Sequence, residues 1–293
     1  MANTVNYATR FERNLVQKYT RELRTAGLTT QQVRFIDAKT IKLPFITVSG
    51  YKDHSRAGGF NQGSVENDNL TFTLGFDRDI EFMVDAMDVD ESNQVLTAAN
   101  VTNVFLEEKA IPETDAYRIS KLYTDFVSVD IGGVADKTAL TAGNILTTFD
   151  QFMQEMDEDE VPEEGRIMYV TPAVSTLLKS VMTRTLSNGD RNLSRIITSL
   201  ENVTITKVPS GRMKSAYNFT DGYVPAVGAA QINMLLAHPK SVIACDKHSY
   251  IRLWPEGTHT KGDGWLYQNR KYGDLFVIKN RKQGIKVNIT EAQ

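Results

Sequence analysis

The residues of this chain that could do covalent or acid–base chemistry are few, and their spacing matches none of the common catalytic arrangements. Cys245 is the only cysteine among 293 residues, so neither an internal disulfide nor a cysteine-based metal site can form. No Gly-x-Ser-x-Gly sequence marks a nucleophilic serine. Glu107 and Glu108 are adjacent, and adjacent side chains on a helix point in different directions, which makes them a poor acid–base pair. The sequence therefore favours a protein that is not an enzyme.

Sites for metals, nucleotides or other cofactors are not indicated either. The stretch 157–165 carries six carboxylates, but it lacks the ligand order and the central glycine of a calcium-binding EF-hand loop. Gly58-Gly59 and Gly132-Gly133 do not extend into a nucleotide-binding glycine motif. The four histidines lack the spacing of a zinc-binding helix and are His54, His238, His248 and His259. We expect no cofactor and no metal, and a solvated turn at 157–165.

Charge is unevenly distributed along the chain. The formal net charge is only −3, which does not suit a dedicated nucleic-acid-binding protein. Residues 1–45 nevertheless hold eight basic and three acidic side chains, whereas residues 77–91 hold seven acidic side chains and one basic one. These stretches are either solvated surfaces or a basic arm that docks on an acidic neighbour. No apolar run approaches the roughly 18 residues of a membrane span, and the N-terminus lacks the apolar core of a signal peptide. We expect neither membrane insertion nor secretion.

The first quarter of the chain predicts a helix, a strand, a long polar excursion and a second strand. Residues 7–25 place apolar side chains on one narrow helical face, with Gly27 as the C-cap. Residues 33–48 are rich in β-branched and aromatic residues, which is typical of a strand. Residues 49–69 are polar and glycine-rich, and residues 70–76 alternate like a strand again. A loop of this length is usually functional or disordered, and the alternative is an ordinary flexible surface loop.

Residues 82–123 predict one long helix, a proline break and a second helix. Carboxylates crowd the first turn, where they meet the positive end of the helix dipole, and they are Asp85, Asp88, Asp90 and Glu91. Asp88 and Glu91 also have the spacing of a capping box. Pro112 suits the first turn of the second helix, because its missing N–H costs nothing there.

The rest of the chain predicts mixed helices and strands and ends in consecutive strands. The expected helices are Leu140–Met156, with Thr141 as its N-cap, and a helix from Thr171-Pro172 to about Thr183. The expected strands, in chain order, are Asp125–Ile131, Arg166–Val170, Val203–Val208, Ile232–Ala237, Tyr250–Trp254, Trp265–Tyr272, Leu275–Asn280 and Gly284–Ile289. Gly132-Gly133 is expected to form a joint.

Several segments resemble those of a known structural family. The stretch VDAMDVDES, followed by EKAIPETDAYRISKLY, resembles the spine-helix region of the major capsid proteins of tailed bacteriophages, which have the HK97-like fold. Later segments are also similar to this family: INMLLAHPKSV, the strand YIRLWP that ends in proline, and YGDLFVIKNRKQGI near the C-terminus. The resemblance follows the chain in order from about residue 30 to residue 287.

The resemblance implies an α+β fold of the HK97-like type. Its expected parts are an N-terminal arm (1–45), an extended E-loop hairpin (46–76), a peripheral (P) domain with the long spine helix (77–131), an inserted mixed α/β axial (A) domain (132–244) and the C-terminal strands of the P domain (245–293). In this family the E-loop reaches over a neighbouring subunit. We therefore expect inter-subunit contacts from the E-loop and the arm, namely from Tyr51, Lys52, Arg56, Phe60, Arg10, Arg13, Arg21 and Arg24.

The function that the resemblance implies is that of a major capsid (head) protein. Copies would self-assemble into pentamers and hexamers that form an icosahedral shell around double-stranded phage DNA, which they would contact non-specifically. The expected partners are the chain itself, a portal protein and a separate scaffolding protein, with no membrane. The expected location is the virion capsid, and the host cytoplasm during assembly. Two alternatives remain, a shell protein of an encapsulin-like nanocompartment and a soluble α+β domain of another role.

Overall fold

A computed structural model describes residues 22–30, 39–54, 58, 60–91, 98–181 and 197–291 of the chain. Within these ranges the strands are β1 Thr40–Val48, β2 Val65–Thr73, β3 Phe76–Val84, β4 Ile167–Val170, β5 Ser199–Leu200, β6 Val203–Lys207, β7 Tyr217–Asn218, β8 Val224–Pro225, β9 Gln231–Ala237, β10 Val242–Trp254, β11 Trp265–Val277 and β12 Ile285–Thr290. The α-helices are α1 Ala86–Glu91, α2 Ala98–Phe105, α3 Ile111–Phe126, α4 Ile145–Glu158 and α5 Pro172–Val181. None of the described helices combines the length and the low charge of a membrane-spanning segment.

A five-stranded sheet with the order β12-β9-β4-β6-β5 forms the centre of the fold. β4 and β6 are parallel, with α5 in the connection between them, and the other pairs are antiparallel. Side chains alternate between the two faces of the sheet. Met168 and Val170 pack with α4 and α5, whereas Tyr169 packs with Ile119 and Leu122 of α3. The bounds of β4, β6, β9 and β12 agree with the predicted strands to within one or two residues, so these predictions are confirmed.

Helix α4 buries a continuous apolar stripe against this sheet. Ile145, Phe149 and Met156 are almost fully buried, because their spacing places them on one helical face. The helix begins at Ile145 and not near the predicted N-cap Thr141. The Asn144 side chain accepts a hydrogen bond from the Thr141 N–H at 2.7 Å, which holds residues 141–144 in a separate turn before the helix. For α5 the predicted cap is confirmed, since the Thr171 hydroxyl accepts from the Val174 N–H at 3.4 Å.

Pro112 lies in the first turn of α3, as predicted, but the predicted break before it is wrong, because α2 and α3 form one helical run. A π-helical segment, Leu106–Ala110, joins them, and Ala110 and Ile111 both have right-handed helical backbone angles. Proline lacks an N–H and its ring crowds the carbonyl four residues earlier, which normally kinks a helix. In the π-helical segment directly before Pro112, hydrogen bonds span five residues instead of four. This shifts the carbonyl groups by one residue relative to the proline ring, so the helix continues through Pro112.

The start of the predicted long helix at Phe82 is also wrong. Residues 76–84 form β3, whose register with β11 pairs Asp77 with Tyr272 and Glu81 with Gln268. Helix α1 begins only at Ala86, and the Asp85 carboxylate accepts a hydrogen bond from the Met87 N–H at 2.8 Å. The cap is therefore Asp85 and not Asp88.

The three-stranded sheet β10-β11-β3 contains longer strands than the sequence predicts. The expected strand Trp265–Tyr272 and the first half of the expected strand Leu275–Asn280 are one strand, β11, which continues through Gly273. The second half is wrong, because Lys279–Gly284 forms a 3-10 helix. A Cβ atom at Gly273 would lie 2.6 Å from the carbonyl oxygen of Cys245 on β10, so glycine here permits a close approach of two strands rather than a turn. Tyr250–Trp254 is the last part of β10, which begins at Val242.

The predicted strand Asp125–Ile131 is instead the end of α3 and the turn that follows it. Lys121 forms an ion pair with Asp125 at 2.8 Å, a spacing that supports helix. The Gly133 N–H then donates to the carbonyl of Phe126 at 2.8 Å, and Gly132 has a φ of +65°. The expected glycine joint is therefore confirmed, and it turns the chain back against the end of α3.

We expect Gly133→Ala to destabilise the protein by about 1–3 kcal/mol, the range typical of an overpacked site. A Cβ atom at this position would lie 2.4 Å from the Phe126 ring and 2.5 Å from its carbonyl oxygen. Thermal unfolding measures the effect. Gly211→Ala is the matched control, because a Cβ atom there meets nothing within 4 Å. Equal melting temperatures for the two variants would contradict the close contact.

Two hydrophobic clusters lie on opposite faces of the central sheet. One combines α3 with residues of β9, β10, β11 and β12, so strands from the predicted P and A domains share a core. β12 also pairs with β9 at the edge of the five-stranded sheet, although the sequence assigns residues 245–293 to the P domain. The division into P and A domains stays a prediction.

Of the predicted helix 7–25, only residues 22–25 lie within the described ranges. Leu23 has non-helical backbone angles, φ −57° and ψ 114°, and Arg24–Leu28 forms a short 3-10 helix. Gly27 lies inside this turn and does not end an α-helix, so the predicted C-cap is wrong. A Cβ atom at Gly27 would lie 2.7 Å from the side chain of Ile167, which shows how closely this segment packs on β4.

Candidate interaction surface

A projecting two-stranded hairpin is the main candidate surface. β1 and β2 pair antiparallel without a break, from Thr40 with Thr73 to Val48 with Val65. At about 3.4 Å per residue the paired strands extend over about 27 Å. The predicted loop 49–69 is therefore shorter than expected, because residues 65–69 belong to β2. Their polar side chains suit a ribbon whose outer part is exposed on both faces.

The base of the hairpin is firmly attached to the three-stranded sheet. Ile41 and Leu74 are 2% and 3% exposed and pack with Cys245 and Phe276. The rings of Phe72 and Phe276 stack with a centroid distance of 5.1 Å. Burial raises the pKa of the Cys245 thiol to about 11, so it stays protonated at neutral pH and acts as a buried apolar group. The root of the hairpin is thus fixed by packing.

A buried carboxylate, Asp274, completes this attachment. It accepts hydrogen bonds from the Gly75 N–H at 2.7 Å, from the Tyr117 hydroxyl at 2.6 Å and from the Leu275 N–H at 2.8 Å. Burial, and then the hydrogen bond to Asp274, raises the pKa of Tyr117 far above its usual value, so this hydroxyl stays a donor. The chain between β2 and β3 is therefore held against α3.

The outer half of the hairpin, in contrast, exposes apolar side chains. Ile46, Val48 and Val65 are 67%, 65% and 73% exposed. Tyr51 and Phe60 at the tip are almost completely exposed. An isolated two-stranded hairpin is at best marginally stable in water, and a cluster of exposed apolar side chains commonly marks a contact surface. The hairpin therefore has the properties of a segment that packs on a partner.

Three of the four predicted E-loop residues, Tyr51, Lys52 and Phe60, lie at the tip of this hairpin. Ser49 and Ser64 close the strands through a backbone hydrogen bond of 3.0 Å. The Lys52 ammonium donates to the carbonyl of Gln62 at 3.4 Å, and the Phe60 ring lies 6.2 Å from the His54 ring. Tyr51 and Phe60 point their apolar surface to solvent. Arg56 lies outside the described residues.

The predicted arm residue Arg24 is tied to its own chain. Its backbone N–H donates to the Asp115 carboxylate of α3 at 3.0 Å, and Asp115 also accepts from the N–H and the hydroxyl of Thr25. Arg212 forms an ion pair with Asp115 at 3.0 Å, and both side chains are buried. Arg10, Arg13 and Arg21 lie outside the described residues. The root of the arm is therefore anchored by one buried carboxylate.

A second buried side chain, Arg118, holds the residues that follow. It donates to the Thr25 carbonyl at 3.4 Å and to the Thr29 hydroxyl at 3.1 Å, and it pairs with Asp246 at 3.1 Å. Thr30 then hydrogen-bonds to Ala244 of β10 at 2.8 Å. Sequence reasoning missed this network, since its members are far apart in the chain. The only sequence signal is that Asp115 and Arg118 lie on one face of a helix otherwise lined by apolar residues.

Sequence reasoning also missed the exposed apolar residues Ile46, Val48 and Val65. Ile46 and Val48 lie in the predicted strand 33–48, whose pattern is typical of a half-buried strand, and Val65 lies in the predicted polar loop 49–69. In the part of the chain that the structure covers, no three histidine, cysteine or carboxylate side chains cluster in a way that could hold a metal ion. The acidic stretch 157–165 is bound by Arg166, which pairs with Asp157 at 2.6 Å.

The comparisons with known proteins find likeness only at the level of structure. No family model matches the chain, and no curated protein sequence matches it. A structure from Mycobacterium phage Che8 is 14% identical, with 98% of both chains covered and a TM-score of 0.64. The mature capsid of bacteriophage PhiM1 is 15% identical, with 97% of this chain and 91% of that chain covered and a TM-score of 0.71. The capsid of cyanophage P-SCSP1u is 14% identical, with 98% and 94% covered and a TM-score of 0.68.

At these identities the likeness shows the fold alone. The chain has the mixed α/β fold of phage capsid structures over almost its whole length. The expected fold class is confirmed to that level.

Proposed function

We propose that this chain is the major capsid (head) protein of a tailed bacteriophage, with an HK97-like fold. The observation that carries the proposal is the hairpin β1–β2, whose base is packed and whose outer half exposes apolar side chains, on a chain that has the fold of phage capsid structures. Copies form pentamers and hexamers, and these close into an icosahedral shell around double-stranded DNA. The protein belongs to the virion capsid and assembles in the host cytoplasm.

In this proposal the hairpin is the E-loop, which lies over a neighbouring copy. Its contact residues are Tyr51, Lys52, Arg56 and Phe60, and the exposed strands of the hairpin support them. The arm, with Arg10, Arg13, Arg21 and Arg24, forms a second contact. Residues 77–131 and 245–293 form the P domain, and residues 132–244 form the A domain at the ring axis. The anchoring of Arg24 and Thr25 to Asp115 supports an arm that starts from a fixed point.

The work of such a protein is mechanical and not enzymatic. The same two surfaces meet repeatedly in head-to-tail contacts, and such heterologous interfaces generate closed rings. Each contact can be modest, because many contacts formed together multiply the binding strength when geometry permits. The likeness to capsid structures and the sequence, which contains no catalytic motif, support this role.

The proposed partners follow from this role. They are other copies of the chain, a portal protein, a separate scaffolding protein and packaged DNA. Contact with DNA is weak and non-specific, because the formal net charge of −3 does not favour the many lysine and arginine contacts that make DNA binding strong and salt-dependent. The encapsulin-like alternative is not favoured, because the matching structures described above come from phages.

The test is the assembly state of the purified chain, measured by analytical ultracentrifugation and negative-stain imaging, with and without a co-expressed scaffolding protein. We expect pentamers, hexamers or closed shells. A chain that stays monomeric at millimolar concentration under both conditions would refute the proposed function. Particles that contain protein cargo instead of DNA after expression in an infected host would favour the nanocompartment.

A further inference from the structure

Two short 3-10 helices, far apart in the sequence, pack against each other at one end of the central sheet. They are Pro239–Ser241, directly before β10, and Lys279–Gly284, directly before β12. The His238 N–H donates to the carbonyl of Gly284 at 2.8 Å. A Cβ atom at Gly284 would overlap the side chain of Ser241, so the two helices are in direct contact. Their backbones, and the points from which their side chains extend, therefore have a fixed arrangement.

These two helices expose basic side chains that lack an acidic partner. Lys240, Lys279 and Arg281 are exposed, and none of them forms an ion pair with a carboxylate of the described residues. The Arg281 guanidinium donates to the carbonyl of Lys240 at 3.0 Å, so it lies across the junction of the two helices. Lys282 adds a fourth charge, although its ammonium donates to the carbonyl of Ile131 at 2.8 Å. We call Lys240, Lys279 and Arg281 the basic surface.

The charge of the basic surface acts on the buried side chain next to it. His238 is 3% exposed, and its Nδ1 accepts a hydrogen bond from the Lys240 N–H at 3.1 Å. Burial lowers the pKa of His238, and the positive charges of Lys240 and Arg281 lower it further. Glu164, whose carbonyl lies 3.2 Å from His238 Nε2, is exposed and forms no ion pair with the basic surface. The two helices are therefore locally positive in a chain whose formal net charge is −3.

The chemistry of the basic surface fits phosphate groups better than it fits a protein partner. The fully buried core of a protein–protein contact is usually apolar. Here the large apolar residues at the ends of the two helices are Val242, Ile278 and Ile285, and all three are buried inside the chain. The exposed part of the two helices thus offers positive charge and hydrogen-bond donors, which are the groups that bind the backbone of a nucleic acid.

We propose that the basic surface binds the phosphate backbone of double-stranded DNA. The choice of DNA rests on the proposed function, in which the chain encloses a double-stranded genome, and the inference names the surface that contacts it. A few phosphate contacts from each copy are weak and carry no sequence information. Many copies in one shell present the same surface, so contacts that are weak singly act together on one long DNA molecule.

The test is the salt dependence of binding to a fluorescent DNA duplex, measured by anisotropy with the full chain under conditions in which sedimentation shows it to be unassembled. The test variant combines Lys240→Gln, Lys279→Gln and Arg281→Gln. We expect the slope of log K against log salt to decrease in magnitude by about 3, because each lost phosphate contact removes about 0.9. At about 20 mM salt the affinity should fall about tenfold or more. Lys282 is kept, because its ammonium supports the glycine joint.

The matched control removes the same kinds of charge elsewhere on the chain. It combines Lys42→Gln, Lys109→Gln and Arg252→Gln, and these three residues are exposed and form no ion pair with a described residue. The slope of the control is expected to stay within about 0.5 of the wild-type value, which is less than one phosphate contact. Melting temperatures equal to that of the wild-type protein verify that both variants are folded.

Two results would overturn the inference. One is binding of DNA by the test variant with the affinity and slope of the control, or no binding of DNA by the wild-type chain at about 20 mM salt. The other is a test variant that binds DNA normally but no longer forms shells, which would make the basic surface a contact between copies.

The inference and the proposed function fail separately, because shell formation is measured by sedimentation and DNA binding by anisotropy. A chain that forms shells but whose DNA binding does not depend on the basic surface overturns the inference alone. A chain that binds DNA through the basic surface but never forms an oligomer supports the inference and refutes the proposed function.

Discussion

Removal of the outer half of the hairpin abolishes shell formation and leaves a folded subunit. In this variant an Asn-Gly dipeptide replaces residues 47–66 and connects Ile46 to Asn67. These two residues are partners in the β1–β2 register, and a two-residue Asn-Gly turn closes an antiparallel hairpin. It loses the exposed apolar residues Val48, Tyr51 and Phe60, among others, which are largely exposed to solvent in the isolated subunit. Sedimentation and negative-stain imaging measure the loss, which we expect to be complete.

The subunit itself keeps its stability in this variant. Ile41, Phe72 and Leu74 remain and still pack on Phe276, so the base of the hairpin is unchanged. We expect a melting temperature within about 2 °C of that of the unassembled wild-type subunit, as for other surface changes. Gly50→Ala serves as the control at the tip, because a Cβ atom there meets nothing within 4 Å, and it should assemble normally. Formation of shells of normal size by the shortened chain would refute the proposed role of the hairpin.

Replacement of Asp115 by alanine lowers the free energy of unfolding by about 3–5 kcal/mol, the cost typical of removing one partner of a buried ion pair. Asp115 is fully buried and accepts hydrogen bonds from the backbone of Arg24 and Thr25 as well as from Arg212. Without it, the two N–H groups and the guanidinium lose their acceptor inside the protein. At about 2 °C per kcal/mol for a chain of this size, the melting temperature should fall by about 6–10 °C.

Scanning calorimetry of unassembled subunits measures this effect. Asp130→Ala is the matched control, since Asp130 is an exposed carboxylate shortly after α3, and its loss should change the melting temperature by less than about 1 °C. Asp115→Asn keeps an acceptor oxygen for Thr25 but loses the charge that pairs with Arg212. Its melting temperature should therefore lie between those of Asp115→Ala and the control. If Asp115→Ala has the same melting temperature as the control, the Asp115 carboxylate does not anchor the segment that contains Arg24 and Thr25.

Local patterns are sufficient to predict those helices and strands whose buried face follows from the spacing of their own apolar residues. The stripe of α4 and the short apolar runs of β4, β6 and β9 predict buried elements, because such side chains have to leave water wherever they are placed. The glycine joint at 132–133 follows in the same way from the conformational freedom of glycine. In contrast, local patterns do not predict where a helix or strand begins and ends when that boundary depends on a segment far away in the sequence.

β3 illustrates such a boundary. The carboxylates at 85–91 predict a helix start within the stretch 82–123, but Ile80, Phe82 and Val84 recur at the strand period, a signal that this interpretation overlooked. In the folded chain β3 pairs with β11, and Asp77 receives two hydrogen bonds from Arg270 of β11, at 3.0 and 2.6 Å. Glu81 pairs with Lys261 in the connection before β11. The hydrogen bond to Arg270 holds the pKa of Asp77 below its ordinary value. Residues nearly 200 positions away therefore decide the conformation of this segment.

The sequence by itself determined that this chain forms a mixed α/β fold with a polar, glycine-rich excursion between two strands, and its segments resembled those of tailed-phage capsid proteins. Only the tertiary structure decided which apolar residues are covered and which are not. Ile41 and Ile46 have the same side chain in the same strand, yet one is 2% and the other 67% exposed. The physical reason is that burial depends on what packs over a side chain, and for Ile41 that is Phe276 and Cys245, more than 200 residues along the chain.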